Sequence, residues 1–145
     1  MTDMAEVMDR LKAVREHAGK SPAELAGATG ISIPHYYDLE SGDDIYCTIS
    51  LRELRQLSAA LGVSSHYLFS GAGIVRNAFI DFRSLAKLVA RYLDDHDMPQ
   101  PVFEERVGWS LGAFPMDANA AWEWNVDCLR DICAALGVDW RDALP

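Results

Sequence analysis

The sequence predicts an all-α protein made of two tandem units of short helices, and three observations predict it. Apolar residues recur at three- and four-residue steps, as at Val7, Met8, Leu11 and Val14, which places them on one face of a helix. Serines open the helical stretches and glycines close them: Ser21, Ser32 and Ser50 as caps, Gly19, Gly30, Gly42 and Gly62 as stops. The string Ala-Ala-Leu-Gly-Val occurs twice, at residues 59–63 and 134–138, the mark of an internal repeat.

The first helix is expected over residues 3–18, with Met4 also on its apolar stripe. A second opens at Ser21 with Pro22 in first position, where a missing N–H costs nothing, and turns Leu25 and Ala26 inward. Gly30 supplies the positive φ of a tight turn. The third helix runs from about Ser32 to Ser41. It tolerates Pro34 in its first turn and buries Tyr36 and Leu39. Tyr37, adjacent to Tyr36, must then point outward, near Asp38, Asp43, Asp44 and Tyr46. Two short helices joined through a glycine form a helix-turn-helix. A loop is expected next, GDDIYCTIS. Ser50 and Glu53 form a capping box for a helix whose buried stripe is Leu51, Leu54, Leu57 and Leu61. A short helix over 64–70 turns Leu68 and Phe69 inward. Residues 71–77 read as a linker, and a long helix follows from about Ala78 to His96 on the stripe Leu85, Leu88, Val89, Tyr92 and Leu93.

The repeat extends beyond one string. LRELRQLS stands against VDCLRDIC, Gly30-Ile31-Ser32-Ile33 against Gly108-Trp109-Ser110-Leu111, Leu25 against Phe103 and Leu11 against Val89. The two units are residues 1–72 and 78–145, of one ancestry, with three residues lost in the second before its fourth helix.

Leu11, Arg15, Leu25, Ala26, Gly30, Ile31, Ser32, Leu39, Glu40 and Gly42, continued by residues 51–69, carry a resemblance. Residues 8–70 resemble the lambda-repressor-like, Cro-like (XRE) helix-turn-helix domain. The resemblance implies two tandem domains of that type, the first intact and the second degenerate. It also implies a recognition helix whose base-reading positions are Ile33, Pro34, His35, Tyr37 and Asp38. The DNA-contact candidates are Ser32, Ile33, His35, Tyr37 and Asp38, with Lys20, Arg52 and Lys12 as flanking cations.

The face is chemically thin for that task. Base readout favours the forks of Arg, Asn and Gln, and none is present. Pro22 holds the place where the family often has a phosphate-anchoring glutamine. No Lys or Arg occurs between Lys20 and Arg52, and Asp43-Asp44 stands where a basic loop is usual. The net charge is -9, an adverse field for phosphate. Pro115 cuts the second copy's recognition helix short. That copy instead holds Trp109, Trp122 and Trp124, residues that fill cores or anchor protein interfaces.

Two function classes follow. The leading one is a cytoplasmic transcriptional regulator that binds operator DNA, weakly, with strong salt dependence and better where histidine is protonated. The alternative is a helix-turn-helix reused for protein contacts, of antitoxin, immunity or anti-repressor type. Its interface candidates are Tyr37, Asp38, Asp43, Asp44, Trp109, Trp122 and Trp124. Partners are accordingly duplex DNA or a basic protein, with a homodimer as a further option.

No enzyme is expected: no phosphate loop, nucleophile with a base partner or histidine pair at ligand spacing is present, and no metal or cofactor is implied. Cys47, Cys128 and Cys133 give no disulfide framework, and the last two read as buried thiols. No apolar run spans a membrane, and the polar opening residues form no signal peptide.

Overall fold

The computed structural model describes residues 3–42, 44–71 and 80–145. The expected linker, the start proposed at Ala78 and Asp43 fall largely or wholly outside them, as does the side chain of Met4. Helix α1 spans Asp3–His17, α2 Pro22–Thr29, α3 Ile33–Ser41, α4 Ile45–Thr48, α5 Leu51–Leu61, α6 Ser65–Ser70, α7 Phe82–Asp95, α8 Gln100–Val107 and α9 Val126–Leu136. Two 3-10 segments, Ala118–Glu123 and Trp140–Ala143, complete the order. No strand occurs among the described residues, so the fold class is all-α.

Short-range chemistry sets the ends of these helices. The side chains of Ser21 and Ser50 each accept the backbone N–H three residues on, while Glu24 and Glu53 reach back to the cap N–H. Both orphan donors are thereby satisfied. Ser32 and Ser64 cap α3 and α6 in the same way. Gly30 closes α2 at φ 73°, a left-handed conformation that costs other residues about 1–2 kcal/mol.

Two stretches differ from expectation. Residues 45–48 form a one-turn helix rather than a loop, because the Asp44 carboxylate accepts the Tyr46 N–H while Ile45, Tyr46 and Ile49 are buried. Tyr46 therefore does not stand beside Tyr37 on the outer face. Its ring lies 5.2 Å from Phe69 and 6.1 Å from Trp140, and the Arg130 guanidinium sits 4.6 Å above it. The long helix begins late, at Phe82, where Asp81 accepts the Ser84 N–H.

The helix bounds of the two halves correspond. α2 and α8 each have 8 residues and end on a left-handed glycine, Gly30 and Gly108. α5 and α9 each have 11 and end likewise on Gly62 and Gly137. The correspondence is interrupted between α8 and α9. Where the first half has α3, residues 112–116 are turns; Pro115 has no N–H to give a helix. Gln100 and Glu104 of α8 hold that turn, Gln100 donating to the Phe114 carbonyl and Glu104 accepting the Leu111 N–H.

A single cluster of buried side chains runs through both halves, from Val7 and Leu11 to Ala143 and Leu144. Backbone bonds cross it. Leu51 N–H donates to the Trp124 carbonyl at 2.8 Å and Ile80 N–H to that of Asp142 at 2.9 Å. The Ser65 hydroxyl donates to the Pro145 carbonyl at 2.7 Å. Trp124, an interface candidate in the sequence, is therefore corrected to a core residue: it is 7 % exposed, edge-on to Phe114 at 4.6 Å.

Cys128 and Cys133 are buried thiols, pushed up to about 12 by desolvation, and Cys47 is exposed. Thiolate is the nucleophile. Iodoacetamide at about pH 8 is therefore expected to modify Cys47 alone in the native chain, and Cys128 and Cys133 only after unfolding. Intact-mass spectra check this; rapid native labelling of either buried thiol would contradict it.

Candidate nucleic-acid interface

The α2–turn–α3 unit is seated on α1 by a buried charge network. Arg15 Nε donates to Glu40 at 2.6 Å, Nη2 donates to the same carboxylate at 3.1 Å, and Nη1 donates to the Lys20 carbonyl at 2.9 Å. The Tyr36 hydroxyl donates to Glu40 as well. The two charged side chains are 11 % and 10 % exposed. Glu40 holds the Arg15 guanidinium more strongly protonated, and burial together with Glu40 pushes the Tyr36 phenol up. Sequence reasoning placed Arg15 and Glu40 in the family pattern but gave them no task. Their matching was the available signal; their pairing is a tertiary contact.

With that anchor inside, α3 turns its other side to solvent. Ser32, Ile33, Pro34, Tyr37 and Asp38 are exposed and His35 is half-buried. Tyr37 is 53 % and Ile33 47 % exposed, so the expectation of Tyr36 in and Tyr37 out agrees with the packing. The Ser32 hydroxyl is already engaged, accepting the His35 N–H at 3.2 Å.

The charges around this face are mostly negative or committed elsewhere. Glu24 accepts the Ser21 N–H, and that bond holds its carboxyl below the usual range, so α2 opens on an anion. Arg15 is internal. Arg52 donates twice to Glu123, at 3.0 and 2.7 Å, and lies 5.9 Å from the Trp122 ring. Lys12 is exposed and Lys20 half-buried, and neither forms an ion pair among the described residues.

The remaining candidates lie apart from α3. Trp109 donates its indole N–H to Asp131 at 2.8 Å, and Trp122 packs edge-on to Phe82 at 4.7 Å. Asp44 is the cap of α4. Its carboxylate, the Cys47 thiol and the Asp127 carboxyl bring ligand-type atoms within 4.8 Å of one another. These are the residues that could hold a metal. Desolvation, then Asp44, pushes Asp127 up and the same causes raise Cys47, while Arg130 lies 3.4 Å from Asp127. A protonated thiol and a carboxylate shared with a guanidinium make a poor ligand set.

These features define a helix-turn-helix domain in the first half of the chain. A family model described as a helix-turn-helix domain matches residues 7–68. No curated protein and no solved structure matches the chain. The architecture is in general that of DNA-binding regulators. Among the described residues no helix is long and apolar enough to cross a membrane.

Proposed function

We propose that the chain is a transcriptional regulator of XRE type that lays α3 in the major groove of an operator. The observation that carries this reading is the outward face of α3. Ile33, Tyr37 and Asp38 are solvent-exposed on a helix anchored to α1 by the Arg15–Glu40 pair. Ile33 suits a thymine methyl and Asp38 a cytosine amine, with Lys12 and Lys20 on phosphates. The second half is a degenerate copy of the first, as the matching helix bounds suggest. Without a counterpart of α3 it braces the reader instead of reading. The protein acts in the cytoplasm, where its thiols stay reduced, and we assign it no catalytic role.

With only two or three cations at the face, the log–log salt slope should be about −2 to −3. A mobility-shift assay on pooled genomic fragments, at about pH 6 and about 25 mM salt, is the test. Retained fragments should be lost on Tyr37→Ala or Ile33→Ala, with the melting temperature nearly unchanged because both side chains are exposed. No retained fragment, or retention indifferent to both substitutions, removes the reading.

The anions at Glu24 and Asp38 favour a second reading, in which the same face docks a basic protein in the manner of an antitoxin, immunity protein or anti-repressor. The acids would steer encounter and the Tyr37 ring would anchor it. Tyr37→Ala would then abolish capture of that protein while DNA retention was absent from the start.

A further inference from the structure

The cations missing from α3 reappear on the second half. Arg83, Lys87 and Arg91 follow one another at four-residue steps on α7 and are exposed, so they form one row along the helix. None makes an ion pair among the described residues. Beside the row lies a groove of about 640 Å³ between α7 and residues 115–119. Ala86 and Ala90 keep its helical wall low. Opposite stand Trp122 and Met116, the latter 95 % exposed. The groove's own acids, Asp81 and Asp117, cap backbone N–H groups of Ser84 and Asn119 at 2.7 and 3.0 Å. In a chain of net charge -9, three exposed cations in a row, against the two acids of a groove whose lining is about half apolar, are a local excess of positive charge.

We propose that this groove docks an acidic, amphipathic peptide segment of a partner protein. Its carboxylates lie along Arg83, Lys87 and Arg91, and its apolar side chains sit over the two alanines against Met116. Methionine is suited to this, being flexible and polarizable, and the charge row supplies orientation and encounter rate. The stacking chemistry of single-stranded nucleic acid fits less well, because the Trp122 ring is already contacted by Phe82 and by Arg52.

The test uses the full chain and a fluorescein-labelled synthetic peptide of about 14 residues, with Glu on one helical face and Leu on the other, read by anisotropy at about 50 mM salt. Micromolar binding is expected. Arg83→Glu with Lys87→Glu should weaken it by about tenfold or more, and Met116→Ser by about threefold. Both leave the thermal melt unchanged. A peptide with Ser for Leu should lose affinity as Met116→Ser does. Tyr37→Ala should leave peptide binding intact, so this groove and the α3 reading fail separately. The proposal is overturned by no binding up to about 1 mM, by polyglutamate binding as tightly, by indifference to the charge reversals, by oligo-dT binding the same residues more tightly, or by self-association that the charge reversals abolish.

Discussion

Replacing Arg15 by Ala should cost about 3–5 kcal/mol of folding stability, the scale for removing one partner of a buried ion pair. For a chain of this size that is a fall in melting temperature of roughly 10 °C or more. The loss is larger than the pair's net worth, because it strands Glu40, which is 10 % exposed, and releases the Lys20 carbonyl that Arg15 holds. Glu40→Ala should cost a similar amount, and the double variant should fall well short of the sum. Replacing the trio together, Arg15→Met with Glu40→Leu and Tyr36→Phe, should restore much of the stability, since no buried group is then left unpaired. Denaturant melts of the four variants check this, and simple additivity would refute the network. Tyr36 adds a pH signature. Its folded phenol is raised above the unfolded one, so its contribution is complete below about pH 10 and lost as pH climbs further. Tyr36→Phe should flatten that alkaline limb.

The second large effect is expected at Trp124. Truncation to Ala removes a side chain that is 7 % exposed and packed on Phe114, at a cost of about 3–5 kcal/mol. The informative outcome is the form of the transition. The Trp124 carbonyl accepts the Leu51 N–H that opens α5, and the buried cluster is continuous from α1 to the last residues. One cooperative transition, shifted as a whole, is therefore expected in calorimetry and in both near- and far-UV dichroism. A first half that keeps its wild-type midpoint while residues 80–145 melt early would show that the halves are energetically separate.

What was legible in the sequence had short reach. The caps at Ser21, Ser32 and Ser50 join atoms three residues apart, and the stripe of Leu51, Leu54, Leu57 and Leu61 lies within one helix. The outward turn of Tyr37 follows from one neighbour, Tyr36. The inward turn of Tyr46 did not follow from any neighbour. Its ring is held by Phe69, Trp140 and Arg130, and the one-turn helix that carries it packs on α9. The site divides the same way. That α3 would present Ile33, Tyr37 and Asp38 was readable from helical spacing. Which cations would serve it was not. Arg15 finds Glu40 at a separation of 25 residues and Arg52 finds Glu123 at 71. By itself the sequence determined the all-α class, the helix-turn-helix and the shortage of cations on its reading face, because propensity, capping and spacing act within a turn or two of chain. Tertiary structure alone decided that Arg52 is drawn to Glu123 and that Trp124 is core. Charge pairing and burial depend on distance in space, and chain order does not fix that distance.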